Sequence, residues 1–209
     1  MLSLKEIGLK YKTDKATEHQ YCDFYEQHLS HLRFDKIKLL EIGIYKNQSL
    51  MMWKEYFPNA EVHGIDIVNF KGNMIDGVHY HCFDVENIVE ITKFSQQHHN
   101  WDIIIDDGGH TMKQQQFAFK YLWGSLKTPG IFVMEDLHTS FKKWANVHNK
   151  NDDPTTYQMI ESLKNKNDFI SPHLHLEEYR LCMSQVKSVD IWTRDPNNMN
   201  LSVTSVIKK

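Results

Sequence analysis

The chain has 209 residues, of which 41% are hydrophobic and 24% are charged, and its formal net charge is −3. This composition is typical of an ordinary globular protein, and it does not favour nucleic acid or an anionic membrane as a partner, because both are bound through basic patches. The three cysteines form no CxxC pair, and no segment has the apolar core of a signal peptide or the length of a membrane span, so we expect a reduced, cytoplasmic chain.

The first 33 residues indicate two short helices, one on each side of the stretch YKTDKATEHQ (residues 11–20). After them, five short apolar runs predict β-strands, and the amphipathic segments between the runs predict helices. The predicted strands span residues 36–43, 60–67, 77–85, 101–108 and 130–137. Because strands alternate with helices, we expect a parallel sheet with right-handed crossovers and helices on both faces.

The C-terminal part departs from this alternation. A helix is predicted to begin at Asp153 with Pro154 at its first position, and residues 186–209 contain two β runs joined by a Pro/Asn turn, which predict a hairpin. Together the elements predict an α/β fold of the Rossmann-like class I methyltransferase type: a seven-stranded, mostly parallel sheet that ends in an antiparallel C-terminal hairpin. We expect one domain over residues 1–209, with a helical cap (1–33) on a Rossmann-like core (34–209).

Every predicted parallel strand ends in an acidic residue. The acids are Glu41, Asp66, Asp84, Asp106, Asp107, Glu135 and Asp136. Ligands of open α/β sheets bind outside the carboxyl ends of the strands, and several carboxylates on one rim repel one another unless a ligand or a cation compensates them. A single acid at such a position is equally typical of a turn or a helix cap, so only the complete set indicates a site.

The first strand-to-helix turn has one glycine, Gly43, with Tyr45 and Asn47 where a dinucleotide-binding loop would carry further glycines. These side chains obstruct a pyrophosphate, so we expect S-adenosylmethionine (SAM), which has none. Asp66 is expected to accept hydrogen bonds from the ribose hydroxyls, and Asp84 is expected near the adenine amino group. The expected cofactor-binding residues of the sheet are Glu41, Gly43, Asp66, Asp84 and Asp106.

Two strands end in similar motifs, WDIIIDDGGH (residues 101–110) and MEDLH (residues 134–138). Their acids Asp107, Glu135 and Asp136 form a set of oxygen ligands without a nearby cysteine. Such a set suits Mg²⁺ or another hard divalent cation rather than structural zinc. The motifs therefore predict a metal site that lies beside the cofactor.

Each motif also carries a histidine that follows the acids. A dication lowers the pKa of a bound hydroxyl, and a nearby base then removes the proton. We expect His110 to be that base, because Gly108 and Gly109 allow a tight turn that brings its ring over the site, and we expect His138 to be the second candidate. The alternative for DDGGH is a turn with a helix-capping aspartate and a polar histidine at the helix start.

Four stretches of the sequence carry a family resemblance: residues 9–29, 39–67, 101–110 and 134–141. They resemble the metal-dependent sugar O-methyltransferases of macrolide biosynthesis, with mycinamicin-type deoxysugar enzymes as the nearest type and cephalosporin hydroxylase-like proteins as more distant relatives. The resemblance covers roughly residues 11–141. It implies that Asp107, Glu135 and Asp136 bind Mg²⁺ and that His110 is the general base.

The resemblance also implies a role for the N-terminal stretch. The segment from Thr13 to Lys15 is expected to fold over the cofactor and the substrate, with His19 and Tyr21 close by. Thr13 and Lys15 are therefore added to the expected cofactor-binding residues.

We expect a SAM-dependent, Mg²⁺-assisted O-methyltransferase that acts on a hydroxyl of a deoxysugar, and the small size of the chain favours a nucleotide-linked (dTDP or UDP) sugar. The alternatives are a glycosylated natural product, a catechol-type acceptor held by Phe141 and Trp144, an amine acceptor, which needs no metal, and a SAM-binding module without turnover. The sequence leaves open the sugar, the methylated hydroxyl and the assembly, a homodimer included.

Overall fold

The computed structural model describes residues 1–70 and 74–209, and within them the strands join into one mixed sheet. In chain order the strands are β1 (Lys38–Ile42), β2 (Glu61–Asp66), β3 (Val78–Cys82), β4 (Trp101–Asp106), β5 (Leu126–Met134), β6 (Ser188–Thr193) and β7 (Val203–Lys208). Their order across the sheet is β3-β2-β1-β4-β5-β7-β6. The strands from β3 to β5 are parallel, and β7 is antiparallel to both β5 and β6. The predicted seven-stranded sheet with its C-terminal hairpin is therefore confirmed.

Helices cover both faces of this sheet. They are α1 (Leu4–Tyr11), α2 (Asp14–Thr17), α3 (Cys22–Leu29), α4 (Gln48–Tyr56), α5 (Ile88–Gln97), α6 (Met112–Leu122), α7 (Ala145–His148), α8 (Thr156–Asn165) and α9 (Leu176–Gln185). The N-terminal region contains the two predicted helices, α1 and α3, with the short α2 between them. In the part of the chain that the structure describes, no helix combines the length and the apolar character needed to cross a membrane.

Neighbouring residues of the central strands belong to opposite faces of the sheet. Leu39 and Ile103 pack with residues of α1, α3 and α4, whereas Leu40 and Ile104 pack with residues of α5, α6, α8 and α9. This alternation follows from the two-residue period of a strand. Because both faces are covered, the strands carry continuous apolar runs rather than alternating polar and apolar residues.

The order of the strands reverses between β1 and β4. From β1 the chain moves outward to β2 and β3, and it then returns to place β4 and β5 on the other side of β1. In open α/β sheets the crevice at such a reversal, outside the carboxyl ends of the strands, is where ligands bind. The fold therefore brings the acidic strand ends to one rim.

The C-terminal hairpin enters the sheet through its second strand. Val206 and Ile207 of β7 are fully buried, whereas most residues of β6 are half-buried or exposed. The more apolar strand of the hairpin lies next to β5, and the more polar strand forms the edge.

The C-terminal helix α8 begins later than predicted, at Thr156 rather than at Asp153. Thr155 is its cap: the hydroxyl of Thr155 accepts the N–H of Gln158 at 3.2 Å, and the N–H of Thr155 donates to Oε1 of Gln158 at 2.7 Å. This reciprocal capping box satisfies two backbone donors that a start at Pro154 would leave open.

Four histidines, which we call the histidine edge cluster, gather where β2 and β3 form one side of the sheet: His63, His79, His81 and His98. The ring of His63, 3% exposed, stacks on His79 and His81 with centroid distances of 4.5 and 5.3 Å. His98, which directly follows α5, lies 4.8 Å from the ring of His81. Burial lowers the pKa of His63 and that of His81 to about 4, so both rings are uncharged at neutral pH.

Candidate functional site

A cavity of about 620 Å³ opens at the carboxyl ends of β1, β2 and β4, and this volume is in the usual range of small-molecule sites. Its lining includes Thr13, Gly43, Ile44, Tyr45, Asp66, Ile67, Phe83, Asp84, Asp107, Gly108 and Thr111. The expected cofactor residues Thr13, Gly43, Asp66 and Asp84 are thus brought to one wall. The cavity lies at the reversal of strand order, where the fold places ligands.

Gly43 lets the ends of β1 and β4 approach each other closely. Its φ is +89°, and a Cβ atom at this position would lie 1.9 Å from the backbone oxygen of Asp107. The N–H of Gly43 donates to the oxygen of Ile65 at 2.8 Å, and the N–H of Asp107 donates to the oxygen of Ile42 at 2.9 Å. Only glycine meets both the conformation and the space, which explains the single glycine of this turn.

Asp66 holds the loop that follows β1. Its Oδ2 accepts the N–H of Ile44 at 2.8 Å, and its Oδ1 accepts the N–H of Val68 at 2.9 Å. In the same loop Tyr45 (φ 48°) and Asn47 (φ 66°) take the left-handed conformation that glycine usually supplies. The loop therefore makes its turn with no glycine other than Gly43, and the carboxylate of Asp66 keeps further lone pairs for a ligand.

Glu41 and Asp106, two other expected cofactor residues, do not line the cavity. Glu41 accepts hydrogen bonds from Ser49 Oγ at 2.7 Å and from Trp53 Nε1 at 3.1 Å. Asp106 accepts one from Gln114 Nε2 at 3.3 Å. Burial raises the pKa of each carboxyl to about 7. In this arrangement the two side chains connect β1 to α4 and β4 to α6.

Lys15, also expected to bind the cofactor, lies outside the cavity among carboxylates. Its Nζ donates to Asp107, lies 3.1 Å from Glu135 Oε2 and lies 3.4 Å from Glu41 Oε1. The side chain is completely buried. Although burial alone would lower the pKa of Lys15, the three carboxylates raise it well above its usual value, so the ammonium stays charged. Burial and the charge of Asp107 raise the pKa of Glu135.

Asp136 is surrounded by one phenol and three imidazoles. Its Oδ1 accepts the hydroxyl of Tyr21 at 2.8 Å, and its Oδ2 lies 3.3 Å from Nε2 of His110. The Nδ1 atoms of His19 and His138 lie 3.6 and 3.8 Å from Oδ1. Burial would raise the pKa of Asp136, but the three histidines outweigh it and hold this pKa below its usual value. Asp136 is therefore an ionised carboxylate.

The turn that carries His110 differs from the predicted one. The left-handed residue is His110 itself (φ 57°), rather than Gly108 or Gly109. Its N–H donates to Gln114 Oε1 at 2.7 Å, and its carbonyl accepts the hydroxyl of Thr139 at 3.1 Å. A Cβ at Gly108 would lie 2.0 Å from Gln114 Nε2. The glycine thus provides space for Gln114, whose side chain holds the histidine backbone.

Asp107, His110 and Asp136 form a group whose ligand atoms all lie within 4.8 Å of one another. Its two carboxylates offer the oxygen donors that Mg²⁺ takes in proteins, so these residues fit a hard dication. Glu135, the third predicted metal ligand, has Oε1 and Oε2 at 3.0 and 3.1 Å from Nζ of Lys15. The structure thus places both Asp107 and Glu135 against the ammonium of Lys15, and it places His110 beside Asp107 and Asp136.

Sequence reasoning missed the glutamines at the start of α6. Gln114, Gln115 and Gln116 are all buried, and Gln115 Nε2 donates to the backbone oxygen of Glu135 at 2.8 Å. Three consecutive polar residues cannot all face solvent on one amphipathic helix. Their position just after DDGGH was the available signal that they support the site.

No protein-family model matches the chain. The chain is 32% identical over 146 residues to the 8-demethyl-8-(2-methoxy-alpha-L-rhamnosyl)-tetracenomycin-C 3'-O-methyltransferase of Streptomyces olivaceus, covering 66% of this chain and 37% of that protein. It is 32% identical over 159 residues to the 8-demethyl-8-alpha-L-rhamnosyl tetracenomycin-C 2'-O-methyltransferase of the same organism, covering 73% and 42%. The chain therefore spans less than half of the length of either relative.

A solved structure with a similar fold is that of the MycE methyltransferase from the mycinamycin biosynthetic pathway in complex with Mg, SAH and mycinamycin VI. Its TM-score is 0.79 at 22% identity, and the match covers 99% of this chain and 54% of that one. The predicted Rossmann-like class I methyltransferase fold is thereby confirmed.

Proposed function

We propose a function from the premise that this chain belongs to the family of mycinamicin- and tetracenomycin-type sugar O-methyltransferases: it transfers a methyl group from SAM to a sugar hydroxyl of a glycosylated natural product. The proposed cofactors are SAM and a hard divalent cation such as Mg²⁺. One observation carries the proposal. Asp107 lines the cavity at the strand ends and also belongs to the group with His110 and Asp136, so a cofactor site and a hydroxyl-activating site adjoin.

The acceptor we propose is a sugar already joined to its aglycone. The two relatives are named for rhamnosyl tetracenomycins, which are glycosylated compounds rather than nucleotide sugars. These names therefore favour the glycoside over the nucleotide-linked sugar that chain size had favoured.

His110 is the proposed general base. Its Nε2 lies 3.3 Å from Oδ2 of Asp136 and 3.9 Å from Oδ1 of Asp107, so this nitrogen adjoins the two carboxylates that are proposed to hold the dication. Nδ1 of His110 is buried and has no hydrogen-bond partner among the described residues, so Nε2 is the nitrogen proposed to take the proton of the acceptor hydroxyl. Asp136 then stabilises the imidazolium that forms.

His138 is the weaker candidate for the same role. Burial lowers the pKa of His138 to about 4, which reduces its affinity for a proton from a hydroxyl. Its Nδ1 lies 3.8 Å from Asp136, whereas Nε2 of His110 lies 3.3 Å from the same carboxylate.

Asp107 and Asp136 are the residues proposed to hold the dication. When bound, it would lower the pKa of an acceptor hydroxyl that coordinates it. The ammonium of Lys15 offsets part of the negative charge of Asp107 and Glu135. The dication is therefore not the only positive charge that compensates the carboxylates of this rim.

The test incubates the protein with SAM and Mg²⁺, offers rhamnosyl or related deoxysugar glycosides in parallel with dTDP- and UDP-sugars, and measures S-adenosylhomocysteine. We expect turnover with glycosides. Turnover with nucleotide sugars only would reject the proposed acceptor, and cofactor binding without turnover on any acceptor would indicate a binding module. Full activity in excess EDTA would reject the metal role.

A matched pair of variants tests the base. His110→Asn should lower the rate by about 10²–10⁴-fold and leave SAH binding unchanged, because His110 does not line the cavity. His31→Asn makes the same exchange at an exposed histidine and should leave both quantities unchanged. A near-normal rate for His110→Asn would transfer the base role to His138.

A further inference from the structure

The histidine edge cluster has the donor set of a second and chemically different metal site. None of its four residues lines the cavity or belongs to the proposed catalytic group. Its members His63, His81 and His98 form a group whose ligand atoms all lie within 4.8 Å of one another. We propose that these three histidines bind a first-row transition-metal dication, with Zn²⁺ as the type.

The distance between two of the rings is close to that of a zinc site. Nδ1 of His63 lies 3.0 Å from Nε2 of His81. Two nitrogens bound at 2.0–2.1 Å to a tetrahedral zinc ion are about 3.3 Å apart. Only a small rearrangement of these two side chains is therefore needed to receive the ion.

The carboxylate of Glu61 sets the tautomer that a metal requires. Oε1 of Glu61 lies 2.7 Å from Nε2 of His63, and a carboxylate only accepts hydrogen bonds, so Nε2 carries the hydrogen. Nδ1 of His63 therefore accepts the hydrogen of Nε2 of His81 in the metal-free protein, and a metal ion would take the place of this hydrogen when His81 carries its hydrogen on Nδ1 instead. A metal-binding histidine that donates its other ring N–H to a carboxylate is the usual arrangement, because the carboxylate orients the ring and increases its basicity.

The donor chemistry selects the class of metal. Three imidazoles suit Zn²⁺, Ni²⁺ or Cu²⁺, whereas Mg²⁺ prefers oxygen. Three protein ligands leave a fourth position for water, and His81 and His98 are partly exposed. Lys38 is a positive group near this cluster, and its Nζ lies 3.6 Å from Glu61, so the carboxylate of Glu61 offsets the repulsion between Lys38 and a bound cation.

The experiment titrates EDTA-treated, dialysed protein with Zn²⁺ in the presence of excess Mg²⁺. Long-range ¹H–¹⁵N spectra report the ring nitrogens of each histidine. We expect the signals of His63, His81 and His98 to shift with the first equivalent of Zn²⁺ and the Tm to rise, while Mg²⁺ alone shifts none of them. Unchanged signals of these rings at stoichiometric Zn²⁺ would overturn the proposal.

Variants distinguish Zn²⁺ bound by the three histidines from Zn²⁺ bound by the group of Asp107, His110 and Asp136. His98→Gln should weaken one binding event by more than about 100-fold, and Glu61→Gln should weaken it by about 10–100-fold, since Glu61 acts through the ring of His63. His99→Gln changes the adjacent, exposed histidine and is the control, with both binding events retained. Because His98 follows a helix and is partly exposed, its variant should fold, which circular dichroism checks. Equal Zn²⁺ affinities for His98→Gln and His99→Gln would refute the assignment.

Discussion

Replacing Lys15 by methionine tests how the buried acids of the rim are held. The ammonium compensates Asp107, Glu135 and Glu41, and methionine keeps much of its length without the charge. Removing one partner of a buried ion pair costs about 3–5 kcal/mol, because the remaining charge is left uncompensated. For a domain of this size each kcal/mol lowers the Tm by about 2–4 °C, so we expect a decrease of roughly 6–20 °C.

The assay is thermal and urea unfolding in EDTA, followed by circular dichroism. Lys10→Met is the matched control, because Lys10 forms an exposed pair with Glu55 at 2.5 Å, and such pairs contribute only about 0–1 kcal/mol. The carboxyl groups left unpaired by Lys15→Met have a pKa above that of the unfolded chain, so the loss of stability should increase as the pH rises from about 6 to about 8. A decrease in Tm no larger than that of Lys10→Met, or one that is independent of pH, would refute the compensating role of Lys15.

Three further outcomes follow from the structure. Gly43→Ala should lower the free energy of unfolding by more than about 2 kcal/mol and impair SAH binding, whereas Gly124→Ala, where no atom lies within 4 Å of the added Cβ, should be nearly neutral in urea unfolding. Asp66→Asn should weaken SAH binding by about 10–150-fold, as expected when a charge-assisted hydrogen bond of 1.5–3 kcal/mol is lost, and calorimetry on the variant measures this. In EDTA the difference in unfolding free energy between the protein and a His63→Gln/His81→Gln variant should be constant above pH 6.5 and fall towards pH 4, because His63 and His81 keep a pKa of about 4 when folded and take up protons near 6.5 when unfolded, whereas the buried acids contribute equally to both proteins; a difference that stays flat over this window would contradict the burial of the two histidines as neutral rings.

The order of the elements was predictable because apolar runs and amphipathic segments alternate along the chain. Leu39 and Leu40 face opposite layers of the core, so the central strands β1 and β4 are apolar over most of their length and are recognised without knowledge of their neighbours. The acids that follow the strands are adjacent in space because parallel strands end on one rim. Gly43, Asp66 and Asp84 could be placed beside the cavity on this basis.

Which of the acids on the rim line the cavity, which lie beside His110 and which pair with Lys15 was not predictable in this way. Glu135 and Asp107 both pair with Lys15, which is 120 and 92 residues away along the chain, but of the two only Asp107 also belongs to the group with His110 and Asp136. The carbonyl of His110 likewise accepts the hydroxyl of Thr139, which is 29 residues away along the chain. No local pattern encodes such contacts between distant segments, so they appear only when the tertiary structure is known.

His110 and Asp136 have a left-handed backbone, which links the proposed activity to a cost in stability. For a residue with a side chain this conformation costs about 1–2 kcal/mol, which glycine would not incur. Under the proposed function, glycine at either position would remove this backbone cost but would also remove the imidazole or the carboxylate on which the proposed activity depends. The chain tolerates the strain where the proposed chemistry needs an imidazole and a carboxylate, as expected of an active site that trades stability for function.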